Sequence, residues 1–289
     1  MSHVYFDPDE LRQGKAYTLS SEIRGEDGRI YDLEEWIARG GNAAVFRCRD
    51  RGSDEPRAIK FLLNFSRSSK KRFTREIDLL KAVGGNHFPK YYGSGVVKAK
   101  RTGPSGVSGK LRFLIMELAD CNLDDLVRSE RPISYERYAG QFRGLATALA
   151  ELHKSAVHRD IKPENIFVAG ERWLLGDYGL CSLVAPGEED VAPLGINMGP
   201  KFWLSPEAQN RRLGIDEAIS EDSDVFQLAS VFWYVVNGRH PTGILKETDW
   251  AGPRKLFPVM EQALLHCRDK RPKTGDEFLK GLEEALAAQ

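Results

Sequence analysis

The stretch VHRDIKPENIFVAGERWLLGDYG, residues 157–179, decides how the rest of the chain is interpreted. It places Asp160, Lys162 and Asn165 within six positions, and Asp177 follows Asp160 after seventeen. Carboxylates, amides and ammonium groups are the side chains that bind cations and phosphates. Which chemistry they serve depends on the elements that surround them in the chain.

Composition limits the class of protein. The chain has 289 residues, enough for one large domain or two small lobes. It is 41% hydrophobic and 29% charged, as is common for soluble globular proteins. Lys and Arg number 42, as do Asp and Glu, so no global field points to nucleic acid or a membrane surface. The longest apolar run, 231–236, is too short to span a bilayer, which needs about 20 residues.

The N-terminus and the cysteines indicate the compartment. The first residues, MSHVYFDPDELRQ, lack the basic and then apolar pattern of a secretory signal. The four cysteines stand far apart without a C-x-x-C pair, which argues against a metal cluster or a disulfide framework. A reducing compartment fits best, and we expect a cytoplasmic protein.

The chain up to residue 118 is predicted to be rich in strands. Asp27-Gly28 lies between two β-compatible runs within 15–39 and indicates a hairpin. Phe73, Ile77 and Leu80 give a single helix one apolar face. Further strands are predicted over 42–50, 57–63, 90–100 and 111–118, and the helix over 68–83.

Beyond Glu117 the sequence becomes helical. We therefore predict an α+β protein with two lobes. Residues 1–30 form an N-terminal extension with an extra strand, residues 31–117 a small β-rich lobe, and residues 118–289 a larger helical lobe. Helices are predicted over 135–153, 224–237, 257–267 and 275–287, whereas 242–255 is too rich in turns for a full helix.

HRDIKPEN, residues 158–165, resembles the catalytic loop of the eukaryotic-type protein kinases, of the serine/threonine branch and with some bacterial character. DYG, residues 177–179, is similar to the metal-binding D-F-G of that family. The resemblance implies the two-lobed protein kinase fold. It also implies a transferase that moves the γ-phosphate of ATP to Ser or Thr hydroxyls, with Mg²⁺ as the second cofactor.

The resemblance assigns a role to each charged residue of the opening stretch. Asp160 would receive and orient the acceptor hydroxyl, and Lys162 would neutralise the γ-phosphate. Asn165 and Asp177 would bind magnesium, which usually takes only one or two carboxylates beside phosphates and waters. One carboxylate thus serves the metal, and the other serves the nucleophile.

Further motifs follow in the order of the family, over about residues 31–280. Lys60 in RAIKFL matches the strand lysine that holds the α- and β-phosphates, and Glu76 on the single helix should pair with it. Asp224 matches a buried aspartate that holds the catalytic loop from below. Glu207 in LSPE and Arg271 match a structural pair.

The same resemblance predicts a nucleotide pocket. Val45, Ala58 and Phe167 should sandwich the adenine, and Met116 should limit the back of the pocket. Glu117 and Leu118 should form the hinge beside the adenine.

The phosphate-covering loop departs from the family pattern. Its sequence is ARGGNAAV, residues 38–45, which keeps Gly40 and Gly41 but has Ala38 and Ala43 in place of the first and third glycines. Glycine lets the backbone approach phosphate and adopt conformations that cost other residues energy. We expect weaker or slower nucleotide handling.

The activation segment departs as well. Residues 183–204 contain no Ser, Thr or Tyr, so the usual phosphorylated switch has no acceptor there. The acidic stretch 187–190 either docks on Arg159 as a permanent substitute or is a solvated loop. Pro200 stands where a threonine usually bonds the catalytic Asp and Lys.

Three functions remain open. An active Ser/Thr protein kinase fits best. A pseudokinase, acting as a nucleotide-binding scaffold or partner-binding module, is favoured by the altered glycine loop and disfavoured by the intact Lys60, Asp160, Asn165 and Asp177. A small-molecule kinase is disfavoured by the S-P-E element and Arg271. We expect a protein substrate, no nucleic-acid or membrane partner, and a regulatory partner or additional domains.

Overall fold

The computed structural model describes residues 1–39, 42–102, 108–183 and 203–287. The chain divides into two compact units, Met1–Ala82 with Pro89–Ala119 and Val83–Phe88 with Asp120–Gln289. The first is a curled β-sheet with one long helix, and the second is mostly helical, so the predicted α+β class is confirmed. In these described ranges, no helix is long and apolar enough to cross a membrane.

The described part of the first unit contains two helices, α1 Pro8–Arg12 and α2 Arg67–Ala82. Its strands are β1 Ser2–Val4, β2 Tyr17–Leu19, β3 Glu22–Arg24, β4 Ile30–Arg39, β5 Ala43–Asp50, β6 Pro56–Leu62, β7 Tyr91–Arg101 and β8 Ser108–Met116. They form one antiparallel sheet in the order β1-β2-β7-β8-β6-β5-β4-β3. The predicted hairpin at Asp27-Gly28 joins β3 to β4, and Gly28 takes a φ of +84°, which glycine adopts without strain.

Alternation along β6 separates the two faces of this sheet. Ile59 and Phe61 point into the apolar core, which also contains Phe46 and Phe113. Lys60 lies between them in sequence and therefore points to the opposite face. The alternation along β6 thus places Lys60, the predicted phosphate-binding residue, on the face opposite the apolar core.

The N-terminal extension is an integral part of the first unit. It contributes β1, β2 and β3 and helix α1, where the sequence predicts only one extra strand. Val4, Leu19 and Ile23 are buried in the sheet core. The Tyr5 ring lies 5.4 Å from the Phe46 ring, between centroids. Strands of two or three residues carry too short an alternation to be recognised in a sequence.

The second unit contains α3 Leu123–Ser129, α4 Tyr135–His153, α5 Pro206–Arg212, α6 Glu221–Asn237, α7 Phe257–Ala263 and α8 Gly275–Ala287. Its short strands are β9 Cys121–Asn122, β10 Ala156–Val157, β11 Ile166–Ala169, β12 Arg172–Leu175 and β13 Ser182–Leu183. Strands β9, β11 and β12 form one small sheet, and β10 pairs with β13.

Among the described helices of the second unit, α4 and α8 match their predicted ranges, α3 and α5 were not predicted, and two boundaries were wrong. Helix α6 begins at Glu221 rather than 224, because Ser220 and Ser223 form a capping box one turn earlier. Helix α7 ends at Ala263 rather than 267, and Ala263 is its last buried residue. Residues 242–255 contain only 3₁₀ turns, as their turn-rich sequence predicts.

Aromatic stacking places α6 at the centre of the second unit. The Phe232 ring of α6 stacks on Phe142 of α4 with centroids 3.8 Å apart. Phe278 of α8 packs on the same Phe232 at 5.9 Å. Polar side chains on α6 are therefore held by a rigid core.

The contribution of the extension to the core can be measured. Ile23→Ala removes a fully buried side chain and should lower the free energy of unfolding by about 3 kcal/mol. Ile37→Ala in β4, where the isoleucine is 39% exposed, is the matched control and should cost less than about 1 kcal/mol. Chemical denaturation of both variants gives the comparison. Equal costs would show that the extension does not share the core.

Candidate active site

The β11–β12 hairpin accounts for the spacing between Asn165 and Asp177. Ile166 lies opposite Leu175 in the antiparallel pair, so the chain returns to the point where it left. The Gly176 N–H donates to the Asn165 carbonyl at 2.9 Å. The two predicted metal ligands therefore lie at the same end of one hairpin.

The Asp160 carboxylate brings three predicted residues together. Lys162 Nζ donates to Asp160 Oδ2 at 3.0 Å. Asn165 Nδ2 donates to the same oxygen at 2.9 Å and to the Asp160 backbone carbonyl at 2.8 Å. Asp160 is buried, so these charge-assisted contacts are only weakly screened by water.

The orientation of Asn165 suits a metal ligand. Both groups that its side-chain nitrogen contacts are acceptors, which fixes the NH₂ group on that side. Its amide oxygen Oδ1 accepts no hydrogen bond from the described part of the chain. Amide and carboxylate oxygens are the protein ligands that Mg²⁺ prefers, so Asn165 and Asp177 form a suitable donor set.

Asp177 occupies a left-handed backbone conformation, with φ of +59°. For a residue other than glycine this costs about 1–3 kcal/mol, and such residues cluster at functional sites. Gly176 precedes it because a Cβ there would lie 2.3 Å from Cε2 of Phe167. The absence of a side chain at Gly176 thus lets the Phe167 ring lie close to the backbone directly before Asp177.

His158 connects the catalytic loop to Gly176, the residue before Asp177. It is fully buried, and its Nδ1 accepts from the Asp160 N–H at 3.3 Å. Its Nε2 lies 3.1 Å from the Gly176 carbonyl, to which it donates. His158 is therefore a packed core histidine that also positions Asp160 relative to Gly176.

Burial raises the pKa of the Asp160 carboxyl above its ordinary value of 3.8. The charge of Lys162 opposes this increase, whereas the charge of Asp177 adds to it. A carboxylate with a raised pKa is a better proton acceptor, as a group that receives a hydroxyl proton requires.

Asp224 of α6 holds the catalytic loop from inside the second unit. It is completely buried and accepts the His158 N–H at 2.5 Å and the Arg159 N–H at 2.7 Å. His153 Nε2 donates to it at 3.2 Å, while His153 Nδ1 accepts the Gly275 N–H at 2.9 Å. The predicted hold on the loop is present, and the connection through His153 to α8 was not predicted.

A buried ion-pair network surrounds the end of the activation segment. Arg271 pairs with Glu207, as predicted, and both side chains are almost fully buried. Burial lowers the pKa of Arg271 to about 10. Arg268 adds an unpredicted pair to Asp222, with distances of 2.6 and 2.8 Å to its two oxygens. Both arginines contribute to anchoring α5 and α6.

In the first unit, Lys60 Nζ donates to Glu76 Oε1 at 2.6 Å. Their side chains are 13% and 5% exposed, so the pair is not the ordinary solvated surface contact. Because Val45 lies opposite Lys60 in the sheet, both side chains point to the same face.

The predicted adenine-binding residues of the first unit share that face. Ala58 lies opposite Met116 and two residues from Lys60, so all three belong to it. The Glu117 N–H donates to the Lys90 carbonyl at 2.9 Å, which fixes the start of the predicted hinge, and Leu118 follows it half-buried. Phe167 belongs to β11 of the second unit.

Ala38 and Ala43, which replace two expected glycines, lie within β4 and β5. Neither has a positive φ, because among the described residues other than glycine only Asp54, Arg159 and Asp177 do. The alanines therefore add a methyl group without backbone strain. Gly40, Gly41, the acidic stretch 187–190 and Pro200 lie outside the described residues.

Comparison with known families agrees with this geometry. The model of the protein kinase domain matches residues 31–283. The chain belongs to the protein kinase domain family. The match covers the Lys60–Glu76 pair, the catalytic loop with Asp160, and Asp224.

Relatives within the kinase family include bacterial proteins. The chain is 30% identical over 224 residues to serine/threonine-protein kinase pkn2 of Myxococcus xanthus, covering 74% of this chain and 25% of that protein. It is 27% identical over 217 residues to serine/threonine-protein kinase PknB of Mycobacterium tuberculosis, covering 73% and 33% respectively. The chain thus spans about a quarter to a third of the length of these curated relatives.

The role of Asp224 in holding the catalytic loop can be tested with Asp224→Asn. Every oxygen of this carboxylate faces an N–H donor, so an amide NH₂ must face one of them. We expect a loss of about 3 kcal/mol in unfolding free energy and faster hydrogen exchange at the His158 and Arg159 amides.

Asp216→Asn is the control for this test, because its side chain is 77% exposed. It should leave the exchange of both amides and the unfolding free energy unchanged. If Asp224→Asn behaved like Asp216→Asn, the carboxylate would not be what holds the loop.

Proposed function

We propose that the chain is an ATP- and Mg²⁺-dependent protein kinase that transfers the γ-phosphate to Ser or Thr hydroxyls. The observation that carries this proposal is the buried Asp160 carboxylate, bonded to Lys162 and Asn165 on a loop that Asp224 fixes. The names of the bacterial relatives support the Ser/Thr class.

Asp160 acts on the acceptor. Its carboxylate accepts a hydrogen bond from the substrate hydroxyl and aims the oxygen at the γ-phosphorus. Its raised pKa favours acceptance of the hydroxyl proton as the new bond forms. Lys162 is within 3.0 Å of Asp160, so its ammonium can neutralise the γ-phosphate while still contacting the carboxylate.

Lys60 acts on the nucleotide. Its ammonium binds the α- and β-phosphates, and Glu76 keeps the long side chain in one orientation. Asn165 and Asp177 would hold Mg²⁺, which supplies positive charge against the phosphate oxygens. In this proposal Val45, Ala58, Met116 and Phe167 would contact the adenine, Glu117 and Leu118 would form the hinge beside it, and Gly40 and Gly41 would cover the phosphates.

The second candidate is a nucleotide-binding scaffold without turnover. Ala38 and Ala43 favour it, but both have ordinary strand backbones, so their cost to the loop is small. Asp160, Asn165 and Lys60 keep the contacts that an active kinase uses. A protein substrate, a cytoplasmic location and a regulatory partner belong to the kinase proposal.

ATP-dependent label transfer to an unstructured basic protein rich in Ser and Thr tests the proposal. The wild type with Mg²⁺ should transfer label to hydroxyls, and Asp160→Asn should be slower by at least about 100-fold because the proton acceptor is lost. Asp269→Asn, whose aspartate is 98% exposed, should match the wild type. If the wild type and Asp160→Asn both bind ATP and neither transfers label, the scaffold function replaces the kinase function.

A further inference from the structure

Gln227 of α6 connects two separate parts of the candidate site. It lies three positions after Asp224 and is only 2% exposed. Its Oε1 accepts the Ile161 N–H at 3.2 Å. Its Nε2 donates to the Trp203 carbonyl at 3.0 Å. One side chain thus bridges the catalytic loop, next to Asp160, and the end of the activation segment.

The chemistry of the bridge requires an amide. Ile161 offers a donor and Trp203 offers an acceptor, so the side chain between them must accept on one side and donate on the other. An ionised carboxylate cannot donate, and an ammonium cannot accept. Loss of the first contact would leave the buried Ile161 N–H without its partner, which is costly.

Trp203 is itself held in place. Its ring packs edge-on against Tyr234 of α6 at 5.4 Å and against His240 at 4.8 Å, between centroids. Leu204, the next residue, is buried against Ala208 and Ile219. The bridge therefore connects the catalytic loop to a fixed segment and not to a loose chain.

We propose that Gln227 is a positioning residue for phosphoryl transfer, which aligns the substrate-side end of the activation segment with the catalytic loop. This chain has Pro200 where related kinases use a threonine side chain to connect that segment to the catalytic Asp and Lys. Gln227 makes such a connection from helix α6, through the backbone N–H of Ile161 and the backbone carbonyl of Trp203. The inference rests on the proposed kinase function.

The two ends of the bridge affect different kinetic constants. The Ile161 amide lies between Asp160 and Lys162, so its bond affects the alignment of the reacting groups and hence kcat. The Trp203 carbonyl belongs to the segment that faces a protein substrate in this family, so its bond affects KM for that substrate. Neither contact involves a predicted adenine-binding residue, and KM for ATP should not change.

Gln227→Met removes both hydrogen bonds at similar side-chain volume. With an unstructured basic protein as the substrate probe, we expect kcat to fall about tenfold and KM for that protein to rise about tenfold. KM for ATP should change by less than about twofold. Ser230→Ala is the matched control, since Ser230 is buried on the same helix and bonds only the Phe226 carbonyl among the described residues. It should leave all three constants unchanged.

Gln227→Glu tests the same bridge by pH. A protonated glutamic acid can accept from Ile161 and donate to Trp203, whereas its ionised form can only accept. KM for the protein substrate should therefore be close to that of the wild type at acidic pH and rise as the carboxyl ionises. This second variant keeps the shape of glutamine and serves if Gln227→Met does not fold.

The outcomes separate this inference from the proposed function. A wild type that transfers no phosphate overturns the kinase function, and the inference falls with it. An active wild type with an unaltered kcat and protein KM in Gln227→Met overturns the inference alone. A Gln227→Glu variant that follows the pH profile of the wild type does so as well.

Discussion

One buried carboxylate determines the geometry of the candidate active site. Asp224 has no access to water, and its two oxygens accept the His158 and Arg159 amides directly. Such a charge is tolerated in a protein interior only when hydrogen bonds surround it, and a loop that supplies them cannot easily move away. Asp160 follows immediately in sequence, so its position depends on this contact.

Helix α6 carries this constraint into the rest of the second unit. Its apolar face stacks on α4 and α8, which makes the helix a rigid support. Three of its polar side chains then fix other parts of the unit. Asp222 binds Arg268, and Asp224 accepts the amides of the catalytic loop. Gln227 bonds both that loop and the Trp203 carbonyl. A catalytic loop without regular structure can be precise because a buried helix fixes its backbone.

Local patterns explain what the sequence could predict. The apolar periodicity of 135–153 matches α4 along its full length, and the family motifs predicted the Lys60–Glu76 pair and the hold of Asp224 on the catalytic loop. Gln227 bonds Ile161, which lies 66 positions earlier in the chain, and His153 bonds Gly275, which lies 122 positions later. A single polar residue in an apolar helix carries no signal for such a partner. The sequence predicts one strand in the N-terminal extension, and the other two were missed because strands of three residues carry too short an alternation.

The central claim is that Asn165 and Asp177 hold one Mg²⁺ that the triphosphate binds. Calorimetric titration of Mg²⁺-ATP into the wild type, Asn165→Ala, Asp177→Asn and the double variant tests it directly. Since both side chains would bind the same ion, their losses of binding free energy should be non-additive by at least about 0.5 kcal/mol. Both losses should also disappear when Mg²⁺ is removed. Additive losses, or unchanged affinity in both single variants, would contradict the claim.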